Sequence, residues 1–335
     1  MTNLYDQQRK NLRRTTGILV GFVLFLAFLG ASFDFFLYGS GAGPGLPIAT
    51  IGALVLGAGS AWWSLHGGDQ AVLESANARP LRLDDPRERT FDNVVEEMAI
   101  AGGLPKPATY VVPDGDPNAF ATGTGPQKSS VAVTAGLLEK LNREELQAVV
   151  AHEMAHVKNY DVRLMTVVAA LVGSVLLISD WGRRGLRFGG GRRRSGRGNV
   201  GGALAIAFLV VWLLSLVLAP LIARLVAMAV AREREYLADA SGSELTRNPL
   251  ALASALEKID AAKEPTPSIK RGVAHLCIAD PRGLHSSRKE GAWAELFSTH
   301  PPVRKRIELL RQMAYQPAGG RAVTPPAPVP PPPTA

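Results

Sequence analysis

Hydrophobic residues are concentrated in four stretches of this chain. The stretches are separated by turn-forming glycines and prolines or by charged residues. A helix needs about 20 mostly apolar residues to cross the hydrocarbon core of a bilayer, with a range of roughly 17–25. We therefore predict a mainly α-helical integral membrane protein with four spanning helices. The four stretches are Gly17–Phe33, Leu46–Leu65, Leu164–Ser179 and Val200–Ala223.

Two of these stretches leave alternatives open. Leu164–Ser179 has only 16 residues, so it could be a tilted span, a re-entrant segment or a buried helix of a soluble domain. Gly17–Phe33 follows a basic head, residues 1–16, as the core of a signal peptide would. Its apolar run is longer than the usual length of about 7–15 residues, and a second span follows at once. We therefore expect that the first stretch is an uncleaved membrane anchor. Together with the second helix it forms a membrane segment over 17–66.

The segment 67–163, between the second and third stretches, has the pattern of a soluble domain. Apolar residues at helical spacing predict a helix over Thr90–Ala101. Two short runs rich in Val, Thr and Tyr predict strands at Thr109–Val112 and Ser130–Thr134. We therefore expect a mostly helical domain with a small β-sheet.

A second soluble segment, 224–315, follows the fourth stretch. Its pattern predicts a helix continuing out of the membrane, a loop-rich region over 263–302, and further helices on either side of that region. The predicted helices are Ala223–Ser241, Pro249–Ala261 and Val303–Met313. The tail 316–335 contains eight prolines, so we expect it to be disordered or to form a polyproline-type extension.

Charge and cysteine content narrow the functional classes. The chain has 37 Lys and Arg against 29 Asp and Glu, a net charge of +8. Much of this excess flanks the apolar stretches, as in membrane proteins, so no nucleic-acid partner is expected. The loop 182–199 has seven arginines, and such a segment could attract the phosphates of nucleic acid or of anionic lipid. The single cysteine, Cys277, excludes a disulfide or a multi-cysteine zinc site within one chain.

The most informative motif is His152-Glu153-Met154-Ala155-His156. Asn142 is a good N-cap residue and Glu145 stands at the capping-box position, so a helix should begin there and include the motif. Residues four apart share a helix face, so both imidazoles can bind one metal ion. Glu153 is about 100° further round the helix, where it can take a proton from water at a zinc ion. The apolar neighbours make a merely solvated helix face a poor explanation.

A catalytic zinc site needs a third protein ligand. Glu235 and Asp239 share a helix face, so Glu235 can bind the metal while Asp239 accepts the outward N–H of a ligand histidine. Glu233 is the rival ligand, but the residue four positions after it is Leu237, which cannot orient a histidine. This spacing favours Glu235 and leaves Glu233 as the alternative.

Together these residues resemble the HtpX-type membrane zinc endopeptidases, which are relatives of the CAAX prenyl proteases. The resemblance covers roughly residues 5–314, and the order of membrane segments also matches. It rests on Asn118-Ala-Phe-Ala-Thr-Gly123, on His152–His156 with Asn159 and Asp161, on Glu235-Tyr-Leu-Ala-Asp239, and on Ser298-Thr-His-Pro-Pro302 with Arg306.

The resemblance implies a gluzincin-like catalytic domain with one Zn²⁺ per chain, bound by His152, His156 and Glu235. It implies that Glu153 is the general base and acid. It also implies that Asn118, Ala119 and Phe120 lie on an edge strand that holds the substrate backbone, as free strand edges can. His300 could stabilise the oxyanion of the tetrahedral intermediate or could be a structural lock on the last helix.

The leading hypothesis is a membrane-bound endopeptidase that hydrolyses misfolded or damaged membrane proteins. The first alternative is a CAAX-type prenyl-peptide protease, although those relatives are expected to have more membrane helices. The second is an inactive membrane scaffold, which should have lost Glu153 or a ligand, and neither is lost. The oligomeric state is left open by the sequence.

The distribution of basic residues indicates an orientation. With four crossings, the basic head and both catalytic segments share one side of the membrane, whose flanks carry 11 Lys and Arg. The other side carries the seven arginines of the loop 182–199. Because cytoplasmic flanks hold the excess of Lys and Arg, we expect a catalytic domain facing the cytoplasm, most simply of a bacterial inner membrane. The seven arginines of the loop conflict with this orientation. Either the stretch 164–179 does not fully cross the membrane, or the loop is carried across the membrane despite its charge.

Overall fold

The structure is a computed structural model that describes residues 4–37, 46–168, 234–262, 276–278 and 301–315. The predicted fourth membrane stretch, the Arg-rich loop 182–199 and the tail 316–335 lie outside these residues. Of the predicted third stretch, only 164–168 is described.

The first two helices, α1 (Leu4–Leu37) and α2 (Ile48–His66), pack against each other. Helix α1 extends into the basic head instead of beginning at Gly17, since no proline interrupts it there. Near the other end of α1, the Asp34 carboxylate accepts the backbone N–H groups of Ala49 and Thr50 at 3.0 and 2.8 Å. Asp34 therefore caps the N-terminus of α2 from the neighbouring helix, where N–H groups lack partners.

Segments of both helices are long and apolar enough to cross a membrane, as the sequence predicted. They are Asn11–Ser32, with 22 residues, and Ile48–His66, with 19 residues. Large apolar side chains such as Leu24 and Leu56 are more than 60% exposed on them. Water would make such exposure unfavourable, whereas lipid would not. Among the described residues these are the two candidate spans, and the other two predicted spans stay predictions.

A short helix, α3 (Gly68–Ser75), leads into a four-stranded sheet. The strands are β1 (Arg79–Pro80), β2 (Ala108–Val112), β3 (Ala119–Gly125) and β4 (Lys128–Thr134), in the spatial order β1-β2-β4-β3. The β2–β4 pair is parallel, and the other two pairs are antiparallel. Strands β2 and β4 match the predicted strands to within two residues, and β3 lies at one edge of the sheet.

Helices of the first soluble segment pack on the sheet, and a helix of the second segment packs against one of them. The apolar residues that predicted the helix at 90–101 are buried on one face, because helix α4 (Pro86–Gly102) packs this face against helix α6 (Arg143–Lys158). The helix predicted over Ala223–Ser241 is described from 234 to 246, so it ends five residues beyond the predicted end. The helices are α4 (Pro86–Gly102), α5 (Ala135–Lys140), α6 (Arg143–Lys158), α7 (161–168), α8 (234–246), α9 (Pro249–Asp260) and α10 (Val303–Tyr315).

Helix α6 lies at the centre of this domain, and the predicted capping box sets its beginning. The Asn142 side chain accepts the N–H of Glu145 at 2.9 Å, and Glu145 accepts the N–H of Asn142 at 2.8 Å. The Glu145 carboxylate also accepts hydrogen bonds from the hydroxyl of Ser254 and the ammonium group of Lys258 in α9, each at 2.7 Å. Burial tends to raise the pKa of Glu145, but these hydrogen bonds and the lysine charge lower it overall. One carboxylate therefore starts α6 and attaches it to α9.

Candidate active site

The two histidines of the motif project from the same face of α6, as the sequence predicted. Their ring centroids are 4.9 Å apart, and the ring planes are nearly perpendicular. His152 is fully buried and His156 is 4% exposed. A helix with so little exposed surface does not present these rings to solvent, so they need partners inside the protein.

Glu235 of α8 lies opposite both rings. One of its carboxylate oxygens is 3.7 Å from Nε2 of His152, and the other is 3.6 Å from Nε2 of His156. Three donors about 2.0–2.1 Å from a tetrahedral metal ion would be roughly 3.4 Å apart. The three side chains, which can offer ligand atoms within 4.8 Å of one another, therefore have nearly the spacing that a metal ion requires.

A glycine allows α8 to come this close to α6. Glu235, Asp239 and Gly242 lie on one face of α8, at positions i, i+4 and i+7. A Cβ atom at Gly242 would lie 2.9 Å from the backbone nitrogen of His152. Since the clashing atom belongs to the backbone of α6, a side chain would push the helices apart. The absence of a side chain at Gly242 thus fixes the distance from Glu235 to the histidines.

The chemistry of the donors fits a metal ion. Nε2 of His152 is buried without a hydrogen-bond partner among the described residues. An orphaned buried imidazole nitrogen is costly unless a ligand satisfies it. Two imidazole nitrogens and one carboxylate oxygen form a common ligand set of catalytic zinc sites.

The outward nitrogens of both histidines face carboxylates. Nδ1 of His152 is 3.0 Å from Oδ1 of Asp239, the residue that the sequence indicated as its orienting partner. Nδ1 of His156 is 3.2 Å from Oδ2 of Asp161. Asp161 can reach back to α6 because Tyr160, with a φ of 59°, turns the chain sharply between α6 and α7. Carboxylates in these positions set the tautomer and orientation of metal-binding imidazoles.

Arg306 of α10 compensates the charge of this cluster. Its guanidinium donates to both oxygens of Asp239 at 2.7 and 2.8 Å and lies 3.1 Å from Oε2 of Glu235. It also donates to the carbonyl of Ile278 at 3.0 Å. From the sequence, Arg306 is singled out only by the family resemblance. Its position on α10 also indicates that Arg306 is buried. Val303, Ile307 and Leu310 lie on the same face of that helix and belong to the core or pack against it.

The environments of the two histidines shift their pKa values in opposite directions. Burial lowers the pKa of His152, and the nearby Arg306 charge adds to this effect. Burial also disfavours the charged form of His156, but hydrogen bonds and charges from Asp161 and Glu235 outweigh it and raise its pKa to about 10. The same arginine that lowers the pKa of His152 holds the carboxyl pKa of Asp239 below its ordinary value.

Glu153 lies beside the histidines and is 1% exposed. Burial is the main cause that raises its pKa to about 7, and the charge of Glu235 acts in the same direction. A hydrogen bond with the backbone of Ala121 on β3 acts in the opposite direction. A carboxyl group with a pKa near neutrality can both accept and release a proton, which is what a general base and acid requires.

The segment predicted to hold the substrate backbone lies at the edge of the sheet, but that edge is already paired. Asn118 is 1% exposed, and its carbonyl accepts the N–H of Thr134. Ala119 accepts the N–H of Ile278 at 2.9 Å, and Phe120 forms an antiparallel bridge with Cys277. Residues 276–278, predicted to be loop, therefore cover β3 at the positions that were expected to be free.

Two residues considered from the sequence lie outside the described part of the chain. These are His300, the expected transition-state stabiliser or helix lock, and Glu233, the rival ligand. Both assignments stay predictions. The contact of α8 with α6 brings Glu235 to the histidines, as the favoured assignment requires.

Comparisons with known proteins agree on one family. Residues 85–314 match the model of peptidase family M48. The chain is 39% identical to a Protease HtpX homolog of Streptococcus uberis over 311 residues, which cover 92% of this chain and 100% of that protein. Proteins with the same description from Ligilactobacillus salivarius and Streptococcus pyogenes are 40% and 41% identical over 310 residues, with the same coverage.

A solved structure is also similar, at a much lower level. The crystal structure of S. mikatae Ste24p aligns with 92% of this chain and 66% of its own, at 18% identity and a TM-score of 0.47. A likeness at this level carries no argument about activity.

Replacing Arg306 with methionine should strongly destabilise the domain. The substitution leaves the buried carboxylates of Asp239 and Glu235 without their cation, and breaking such a pair costs about 3–5 kcal/mol. Equilibrium unfolding of the full chain in detergent micelles would measure the loss. Arg304→Met, at an exposed position of the same helix, is the matched control and should change the free energy of unfolding by less than about 0.5 kcal/mol. Equal effects of the two substitutions would contradict this account of Arg306.

Proposed function

This chain belongs to peptidase family M48, and we propose that it is a zinc-dependent endopeptidase that degrades misfolded or damaged membrane proteins. Family membership makes it a membrane metalloprotease, a hydrolase of peptide bonds. The observation that carries the further proposal is the buried convergence of His152, His156 and Glu235, with Glu153 beside them. An inactive scaffold would have no reason to keep this complete set.

We assign the metal to His152, His156 and Glu235, with Asp239 and Asp161 as the residues that orient the two imidazoles. The distances of 3.6 and 3.7 Å between the carboxylate oxygens and the imidazole nitrogens support this assignment. So does the orphaned Nε2 of His152. Zinc suits this donor set, because it accepts nitrogen and oxygen ligands in a tetrahedron with one position left for water or substrate.

Bound there, zinc would polarise the scissile carbonyl and the attacking water as a Lewis acid. Glu153 takes the proton from that water and delivers it to the nitrogen of the leaving amine. A hydrogen bond with the backbone of Ala121 holds its carboxyl group beside the histidines.

We propose that Asn118, Ala119 and Phe120 bind the extended substrate after residues 276–278 have moved away from β3. Antiparallel pairing to this strand would bring a peptide next to Ala121, which already contacts Glu153. Thr166 of α7 donates to or accepts from Thr122 at 2.9 Å and accepts the N–H of Gly123 at 3.1 Å, so the following part of the edge is also covered.

The site is proposed to lie at the cytoplasmic surface of a bacterial inner membrane. The basic N-terminal end of α1 lies on the same side as the catalytic domain, because Asn11 donates to Asp161 of that domain at 2.7 Å. Helix α1 becomes a candidate span from Asn11 onward. A metal site so close to the end of a span can act on chains that emerge from the bilayer, which supports membrane proteins as substrates.

Replacing Glu235 with alanine should lower the zinc content well below one ion per chain, because three protein ligands become two. Metal analysis of the purified full chain would measure this. Glu233→Ala is the matched comparison two residues away and should keep its zinc. Loss of zinc from the Glu233 variant together with retention in the Glu235 variant would reverse the ligand assignment.

The proposed activity is tested most directly by Glu153→Gln. The amide keeps the shape of the side chain but cannot accept the proton, so we expect normal zinc content and a loss of about 10²–10⁴-fold in kcat. Cleavage of casein and of a destabilised membrane protein in detergent would be measured with zinc and with a chelator. Glu144→Gln, at an exposed position of the same helix, should retain full activity. Near-normal cleavage by Glu153→Gln, or cleavage restricted to prenylated peptides, would argue against the proposal.

Displacement of residues 276–278 by substrate should expose Cys277. This cysteine is the only one in the chain and is 1% exposed. In the Glu153→Gln background, a maleimide should label it at least about 10-fold faster when a saturating peptide substrate is bound, because open segments react in proportion to their population.

The control for this labelling is Ala255→Cys in a chain that also carries Cys277→Ser. Ala255 is fully buried in α9, away from β3, so its labelling rate should not respond to peptide. If peptide leaves the Cys277 rate unchanged, substrate does not bind by displacing this segment.

A further inference from the structure

A polar side chain from the first membrane helix reaches into the catalytic domain. Asn11 lies at the start of the candidate span of α1 and is only 2% exposed. Its Nδ2 group donates to the backbone carbonyl of Asn159 at 2.8 Å and to Oδ1 of Asp161 at 2.7 Å. These acceptors are 148 and 150 residues away in the sequence. Both N–H bonds of the amide are therefore used on the turn that follows α6.

The second of these acceptors is itself the partner of a proposed metal ligand. Asp161 is fully buried, and its other oxygen, Oδ2, is 3.2 Å from Nδ1 of His156. Two hydrogen bonds thus connect the amide of Asn11 to the imidazole of His156. Arg234 of α8 also approaches Oδ1 of Asp161, with a distance of 3.3 Å from its Nε.

The two orienting carboxylates of the site are held in different ways. Asp239, which faces His152, is held by the two-pronged contact with Arg306 from within the catalytic domain. Among the described residues, the shortest contact of Asp161 is with a neutral amide on α1, at 2.7 Å. A carboxylate that can rotate does not orient an imidazole, so the fork formed by Asn11 between Asn159 and Asp161 restricts how Asp161 presents Oδ2 to His156.

We propose that Asn11 is a positioning residue of the metal site, so that docking of the first membrane helix completes the shell that orients His156. This inference rests on the proposed ligation of the metal by His156. It makes tight metal binding depend on a helix that is folded into place beside the catalytic domain. A chain in which α1 is displaced would keep all three ligands but bind the metal more weakly.

The test measures zinc affinity of the full chain in detergent by competition with a chromophoric chelator. Asn11→Leu removes both N–H donors while keeping a similar size. Loss of an outer contact of this kind typically weakens metal binding by about 10–100-fold, and we expect a loss in that range. The d–d absorption of the cobalt-substituted chain should also change, since it reports the geometry of the ligands. Asn11→Ser, which is too short to reach both acceptors, provides a second variant if the leucine impairs folding.

The matched control is Thr16→Ala. Thr16 is on the same helix, is exposed, and donates only to the carbonyl of Leu12 in its own helix. Its replacement should leave zinc affinity and the cobalt spectrum unchanged. If Thr16→Ala weakened zinc binding as much as Asn11→Leu, any substitution in this part of α1 would have the same effect, and the specific role of Asn11 would be overturned.

A double-mutant cycle separates a role through Asp161 from simple attachment of α1. If Asn11 acts by holding Asp161, then Asn11→Leu should reduce zinc affinity much less in an Asp161→Ala background than in the wild type. If Asn11 only attaches the helix through Asn159, it should lower the affinity by the same factor in both backgrounds, and the proposal would be overturned.

The outcomes also distinguish this inference from the proposed function. Wild-type zinc affinity and an unchanged cobalt spectrum in Asn11→Leu and Asn11→Ser, with loss of zinc in His156→Ala, would overturn the role of Asn11 alone. Unchanged zinc affinity in His156→Ala would overturn the metal ligation and, with it, this inference.

Discussion

The buried charges of the active site are the constraint on which the surrounding structure depends. Asp239 and Glu235 are at most 3% exposed, and an unpaired carboxylate in such a place costs several kcal/mol. Arg306 provides the compensating charge, so α10 must pack where its guanidinium can reach α8. Gly242 then permits the contact of α8 with α6 at the required distance. The positions of these helices follow from the electrostatic requirement of one small cluster.

The same cluster links the metal site to the two other functional parts of the molecule. Arg306 also donates to the carbonyl of Ile278, whose N–H pairs with Ala119 on the edge strand. The segment over the proposed substrate strand is thus attached to the residue that holds Asp239 and Glu235. On the opposite side, Asp161 connects His156 to Asn11 of the first membrane helix. A few hydrogen bonds therefore connect the proposed metal ligands with the proposed substrate strand and with the first helix.

Predictions from the sequence succeeded where the physical cause is local. The capping box of Asn142 and Glu145 and the shared face of His152 and His156 depend on helix geometry over three or four residues. The spacing of Glu235 and Asp239 similarly favoured Glu235, and the structure brings its carboxylate close to both histidines. Strand β1 and helix α3 were not predicted, because their few residues carry little periodicity and form only in contact with the sheet. The resemblance to a peptidase family added the edge strand that the local pattern of residues 119–125 did not reveal.

By itself, then, the sequence determined the apolar helices that are long enough to span a membrane, the helix face that carries both motif histidines and the class of chemistry, since apolar length and i, i+4 spacing act within single helices. Only the tertiary structure decided that Glu235 meets the histidines, that Arg306 compensates their carboxylates and that residues 276–278 cover β3. It also decided that Asn11 meets Asp161 across 150 positions of sequence. Such pairs carry no periodic signal, because their contact depends on how whole helices pack and on where a buried charge can find its partner.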